Sequence, residues 1–101
     1  MRKVFKQIIM IPLSQLPNIG KVLEQKLKEV GITTPEELKD AGAENALIRI
    51  RAIDDTACFN MLCALEGAIR GIRWHDLPKE RKEELKQFLK MKNIPLTPLN
   101  K

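Results

Sequence analysis

Apolar side chains recur at helical spacing along most of the chain. The first clear helix follows residue 20 and carries one apolar stripe, made of Val22, Leu23, Leu27 and Val30. Alternating apolar and polar positions, which are typical of a half-buried strand, are short and few. The pattern therefore predicts an all-α fold of five to six short helices.

One segment, from about residue 56 to residue 70, is apolar on nearly every side. A helix that is apolar all round is buried, so we expect this one to be the central helix of the core. It is preceded by residues suited to capping its N-terminus, Asp54, Asp55 and Thr56. Glu66 and Arg70 lie one turn apart within it and are expected to form an ion pair.

Further helix boundaries are marked on both sides of this segment. The sequence Thr34-Pro-Glu-Glu37 has the form of a capping box and predicts a short helix that ends near Gly42. A separate helix is expected to begin at about Ala43. The last helix, about residues 78–91, has a narrow apolar stripe, and its lysines and arginine are interleaved with glutamates. We expect it to lie on the outside with a solvated polar face.

The segment Leu16-Pro-Asn-Ile-Gly20, directly before the first helix, resembles a helix-hairpin-helix motif. In that motif, backbone N–H groups of the hairpin and of the following helix N-terminus hold a phosphate. The residues that would do so here are Asn18, Ile19, Gly20 and Lys21. Gly20 is expected to lack a Cβ for steric or conformational reasons. The alternative is a purely structural turn, and both interpretations stay open at this stage.

Five segments in a fixed order are more specific than the hairpin: residues 16–20, 30–38, 41–43, 61–68 (MLCALEGA) and 74–78 (WHDLP). This succession resembles the C-terminal domain of the TfoX (Sxy) competence regulators over about residues 14–90. The resemblance implies positive regulation of competence genes alongside the cyclic-AMP receptor protein, and it brings no catalytic residues. Larger family members have an N-terminal domain before this one, so the chain is expected to be a stand-alone form.

We expect the chain to divide into an N-terminal arm (1–13), the helical domain that carries the resemblance (14–92) and a C-terminal tail (93–101) that its prolines keep extended. The formal net charge is +5, but residues 16–75 hold eight basic and nine acidic side chains, so the surplus lies in the two ends. Because phosphate affinity grows with the number of phosphates neutralised, this near-neutral body argues against a strong DNA clamp. A regulatory module that contacts an unidentified protein partner is favoured, and a module making weak, sequence-independent contacts to the DNA backbone is the alternative.

The arm has an apolar face formed by Val4, Phe5, Ile8 and Ile9. We expect this face to dock on its own domain or on a second copy of the chain, so a homodimer is one of the predicted forms. The uninterrupted apolar run over residues 8–11, like every other in the sequence, is far shorter than the roughly 20 residues of a membrane-spanning helix. No membrane partner is expected.

Catalytic and metal chemistry are not predicted. Ser14 is the only serine, and it has no partner residue at a recognisable spacing. Cys58 and Cys63 would point to different sides of a helix, and with the single His75 they do not complete a usual zinc site. We expect no enzyme activity and no cofactor, two buried and reduced thiols, a cytoplasmic protein, and Trp74 packed on the central helix.

Overall fold

The computed structural model of the chain describes residues 11–96. Within them are four α-helices: α1 (Lys21–Glu29), α2 (Pro35–Arg51), α3 (Phe59–Arg70) and α4 (Lys79–Met91). Two short 3-10 helices lie at Leu13–Gln15 and Trp74–Asp76. No strand occurs in this part of the chain, and the all-α prediction is confirmed. The apolar face predicted for the arm, Val4 to Ile9, lies outside the described residues.

The predicted number of helices is too high because two of them are joined. Gly42 lies between the two predicted helices and has φ 82° and ψ 157°, which is not helical. The chain resumes its helix at once, so the two pieces form the single kinked helix α2. The sequence marks the right residue as a break, but only the backbone conformation of the folded chain shows that no loop follows it.

The start of α2 confirms the predicted cap at Thr34. The Thr34 hydroxyl accepts a hydrogen bond from the Glu37 N–H at 3.0 Å. The Glu37 carboxylate reaches back one residue further than in a standard capping box and accepts the Thr33 N–H at 2.7 Å. The hydrogen bonds that the Thr33 N–H and hydroxyl donate to Glu37 are the main reason that the pKa of Glu37 is lowered.

The central helix of the core is α3, as predicted. It packs against α2, α4 and the 3-10 helix at Trp74–Asp76. Leu62, Cys63 and Leu65 have no exposed surface. None of the helices between residues 11 and 96 combines the length and the hydrophobicity that crossing a membrane requires.

The prediction that Asp54, Asp55 and Thr56 cap the N-terminus of α3 is wrong. The helix begins at Phe59, and its N-cap residue Cys58 makes no capping hydrogen bond through its side chain. Asp54 instead accepts the N–H and the hydroxyl of Thr56 and closes a local turn. The hydrogen bonds from Thr56, together with Lys26, lower the pKa of Asp54 to about 2. A local side-chain bond therefore competes with helix formation over residues 54–58.

Residues 93–96 follow α4 and return to the core. Asn93 has a positive φ of 59°, and Ile94 is buried. The carbonyl oxygen of Leu96 accepts the N–H of Phe59 at 3.2 Å. The segment after α4 thus supplies a hydrogen-bond acceptor to the first turn of α3, which has no side-chain cap of its own.

We predict that Leu65→Ala lowers the free energy of unfolding by about 2–5 kcal/mol, because it removes buried methyl groups and leaves a cavity. Met91→Ala is the control, since Met91 is 79% exposed and its truncation should change stability by less than about 0.5 kcal/mol. Urea denaturation measures both. A loss below about 1 kcal/mol for Leu65→Ala would show that α3 is not the centre of the core.

Candidate interaction surface

The hairpin before α1 is built around an inward-facing asparagine. Asn18 has a positive φ of 70°, a conformation that asparagine tolerates better than most residues. Its Nδ2 donates to the carbonyl oxygens of Ile72 at 3.0 Å and of Ala64 at 3.3 Å. Its Oδ1 accepts the N–H of Trp74 at 3.2 Å. We call these three hydrogen bonds the Asn18 bridge, since they tie the hairpin to α3 and to the segment that follows it.

The Asn18 bridge depends on a glycine in the middle of α3. A Cβ at Gly67 would lie 2.5 Å from Asn18 Nδ2, 2.7 Å from the Ile72 carbonyl oxygen and 3.2 Å from the Trp74 nitrogen. Because the first two distances are shorter than any real Cβ contact, only glycine fits there without rearrangement. A glycine inside an apolar helix is a signal of close packing that is present in the sequence, although it does not show which residue packs there.

Of the four residues predicted to bind phosphate, two have side chains that face the protein interior and two lie on the surface. Asn18 is engaged in the bridge, and Ile19 is buried in the core. Gly20 and Lys21 are exposed, at the N-cap and the first residue of α1. The expected need for glycine at position 20 is wrong: its φ of −93° suits any residue, and nothing lies within 4 Å of a Cβ built there.

The outer side of α1 carries an exposed apolar side chain, Val22, directly after the hairpin. A shallow groove there, which we call the α1 face, is lined by Lys21, Val22, Gln25, Lys26 and Glu29. Val22 is 71% exposed. Lys26 Nζ lies 3.0 Å from the Asp54 carboxylate, next to the half-exposed Ile53. The α1 face therefore has an apolar centre with polar residues around it.

A second polar cluster joins three helices through Arg81 of α4. Its guanidinium binds both carboxylate oxygens of Glu66 on α3, at 3.0 and 3.1 Å. It also binds Glu44 of α2 at 2.9 Å and Glu84 of α4 at 3.0 Å. The predicted pair of Glu66 with Arg70 is confirmed at 2.7 Å. The prediction that Arg81 belongs to a solvated face is wrong, and no local sequence pattern shows that it turns inward.

Electrostatics in this cluster favours the charged states of Glu66 and Arg81. Glu66 is only 7% exposed, and burial alone would raise its pKa. The hydrogen bonds and charges of Arg81 and Arg70 together outweigh that burial, so the pKa of Glu66 is lowered. The hydrogen bond to Glu66 is the largest reason that the pKa of Arg81 is raised. Glu66 and Arg81 thus form a charged pair at the centre of a structural network that joins α2, α3 and α4.

Trp74 packs against the core as predicted, and it is half-buried rather than enclosed. Its ring stacks on His75 with the centroids 4.0 Å apart, and Lys82 Nζ lies 5.9 Å above it. Cys58 and Cys63 are both buried and unpaired with each other, and burial raises the pKa of the Cys63 thiol. Within residues 11–96, no three side chains of His, Cys, Asp or Glu come together as metal ligands would.

The sequence model of the TfoX C-terminal domain matches residues 10–89. The chain belongs to this family. A curated relative is Protein Sxy from Escherichia coli (strain K12), 38% identical over 76 residues, which make up 75% of this chain and 36% of Sxy. The chain thus spans about a third of the length of that relative. The TfoX C-terminal domain family is related to competence regulation and is regulatory rather than enzymatic.

Two solved structures share the fold of this TfoX C-terminal domain. An uncharacterised protein from Listeria monocytogenes in a triclinic crystal form is 53% identical, with a TM-score of 0.78 over 81% of this chain and 94% of that one. A protein of unknown function from Listeria monocytogenes in a tetragonal form is 56% identical, with a TM-score of 0.76 over 78% of this chain and 96% of that one. The helical arrangement described above is therefore shared with these experimental structures.

Gly67→Ala should destabilise the domain although alanine is the better helix former. The gain in helix propensity is about 1 kcal/mol, and forcing a Cβ against Asn18 and the Ile72 carbonyl should cost about 1–3 kcal/mol and break the Asn18 bridge. We expect a net loss of stability in thermal and urea unfolding. The matched control is Gly20→Ser, expected within about 0.5 kcal/mol of wild type because the site is open and suits an N-cap serine. Equal stability of Gly67→Ala and wild type would contradict the bridge.

Arg81→Gln should lower the free energy of unfolding by about 3 kcal/mol at pH 7, because it removes the main partner of a buried carboxylate. Glu66→Gln in the same chain should restore part of the loss. Glu66 has a lowered pKa in the fold, so its contribution is fully present above its ordinary value of 4.5 and is lost as the pH falls through the folded pKa. The gap between Arg81→Gln and wild type should therefore narrow below about pH 4.5, and a constant gap down to pH 3 would disprove the role of Glu66.

Proposed function

We propose that this domain is a non-enzymatic, cytoplasmic regulatory module that acts by docking onto a protein partner in the control of competence-type genes. The observation that carries this proposal is the inward-facing hairpin. The Asn18 side chain makes three internal hydrogen bonds, and the backbone N–H of Ile19 donates to the Leu16 carbonyl oxygen, so these hairpin groups are used inside the protein. A hairpin of this kind holds the fold together, which is how the motif serves in protein-interaction domains.

The charge of the domain supports a protein partner. Residues 11–96 contain 14 basic and 13 acidic side chains, a net charge of +1. A segment this close to neutrality has little long-range attraction for a polyanion, and non-specific DNA affinity comes almost entirely from phosphate contacts. The rest of the +5 charge comes from Arg2, Lys3, Lys6 and Lys101, at the two ends.

The arrangement of apolar and polar residues on the α1 face resembles that of a small protein-docking site. Val22 is its exposed apolar centre, and Lys21, Gln25 and Lys26 surround it. Protein interfaces characteristically combine an apolar centre with a polar rim. The partner could be a transcription regulator such as the cyclic-AMP receptor protein, which the family resemblance implies, or a second copy of the chain.

The alternative function is a DNA-binding module at the same end of the molecule. The observation that favours it is the open N-terminus of α1: Gly20 provides no side-chain cap, and Lys21 is exposed beside the first-turn N–H groups. In this case the domain should bind a short DNA duplex with a clear negative slope of log affinity against log salt, and Lys21→Gln should make that slope shallower.

Affinity capture with two matched variants tests the proposal. Val22→Glu places a charge at the centre of the α1 face, whereas Asn45→Glu adds the same charge at an exposed position on α2. Both should fold, since neither side chain is buried. From nuclease-treated extract of the source cells, we expect a protein that is enriched on wild type and Asn45→Glu and is at least about tenfold reduced on Val22→Glu, as for a central interface residue. Binding is then remeasured with that protein purified, and light scattering at tens of micromolar covers self-association.

Two outcomes would contradict the proposal. Capture that disappears entirely after nuclease treatment would favour the DNA-binding alternative. Capture that is equal for Val22→Glu and Asn45→Glu would remove the α1 face as the docking site. If no protein is enriched and the chain is monomeric, docking onto a protein partner is wrong.

A further inference from the structure

One side of α4 carries a row of lysines that the proposed function does not use. Lys79, Lys82, Lys86 and Lys90 recur at spacings of three, four and four residues. At 100° per residue these positions fall within an arc of about 80°, and the row is about 16 Å long. We call these four residues the lysine row. Lys79 and Lys90 are exposed, and Lys82 and Lys86 are half-buried.

The two inner members of the lysine row lie close to aromatic rings. Lys82 Nζ is 5.9 Å from the Trp74 ring centroid, and Lys86 Nζ is 5.6 Å from that of Phe59. Both rings belong to side chains that are only partly buried. The two inner lysines are therefore held by ring contacts, which restrict their motion and keep their charge at the surface.

These cations have few carboxylate partners. Among residues 11–96, the only member of the lysine row with a carboxylate within 4 Å is Lys86, whose Nζ lies 3.6 Å from Glu83. The segments outside those residues contain no Asp or Glu at all. By contrast Arg81, on another side of the same helix, is bound by Glu44, Glu66 and Glu84. Arg81 is therefore paired with carboxylates on one side of α4, whereas the four lysines of the row lack comparable carboxylate partners.

We propose that the lysine row binds an acidic segment of a protein partner, with carboxylates spaced to meet lysines one helical turn apart. The inference rests on the proposed function only in taking the partner to be a protein. It concerns a surface other than the α1 face. Complementary charge of this kind sets the orientation and the rate of docking more than its raw strength.

A protein segment fits this surface better than a nucleic acid does. The Trp74 ring is already stacked on His75 and covered by Lys82, so it offers little ring surface to a stacking base. Glu83 lies at the margin of the row, and the net charge of residues 11–96 is only +1. A DNA duplex extends beyond the row and would meet that acidic margin. A short acidic peptide needs only the local match of four cations.

The test uses the full chain and a fluorescein-labelled, glutamate-rich peptide of about 12 residues, which in helical form matches the length of the row. The same peptide with glutamine in place of glutamate, and a short DNA duplex, are the comparison probes. The variant Lys82→Gln/Lys86→Gln neutralises the centre of the row. The matched control, Lys28→Gln/Lys39→Gln, removes the same charge from exposed lysines on α1 and α2. Fluorescence anisotropy gives affinities, and circular dichroism melts verify that each variant folds.

We expect the glutamate peptide to bind wild type, the glutamine peptide not to bind, and the row variant to bind about tenfold more weakly while the control changes less than about twofold. Equal losses for the two variants would overturn the proposal, because net charge alone would then explain binding. Tighter binding of the duplex that depends on Lys82 and Lys86 would assign the row to nucleic acid. Failure of the peptide to bind, with capture through Val22 intact, would overturn this inference and leave the proposed function standing.

Discussion

The contact on which the fold depends most is the one between the Asn18 amide and the surface of α3 at Gly67. Three hydrogen bonds converge there on one small side chain, and they involve segments that are 46 to 56 residues apart in sequence. A helical glycine costs about 1 kcal/mol relative to alanine, and at this position the cost is offset by the bridge that only glycine allows. The positions of the hairpin, of α1 and of Trp74 all follow from this contact.

The Arg81 cluster complements the Asn18 bridge on another side of α3. Arg81 joins α2, α3 and α4 through charged hydrogen bonds, and Glu66 is the buried carboxylate at its centre. A buried ion pair adds little net stability compared with apolar residues of the same size, because both charges lose their hydration. Its value here is in geometry, since the bidentate contact allows only a narrow range of positions for α4 relative to α3.

These two internal networks determine which polar groups are left for function. The hairpin, which by sequence is the best candidate for phosphate binding, uses its asparagine inside the protein. Arg81, which by sequence belongs to a basic helix surface, is likewise bound internally. The α1 face around Val22 and the four lysines along α4 are among the surfaces that remain accessible. Both surfaces suit a regulatory domain that works by docking, in keeping with membership of the TfoX C-terminal domain family.

The sequence by itself determined the helical class, the central position of the apolar helix predicted at about residues 56–70, the Thr34 cap and the family. Each of these depends on local patterning or on short motifs, which are fully present in neighbouring residues. The sequence also indicated the Glu66–Arg70 pair, because one-turn spacing is a local property. Only the tertiary structure decided that α2 continues beyond Gly42, that Asp54 closes a turn instead of capping α3, and that Asn18 and Arg81 point inward. In the last two cases the deciding partners lie 15 to 56 residues away, so no window of sequence contains both sides of the contact.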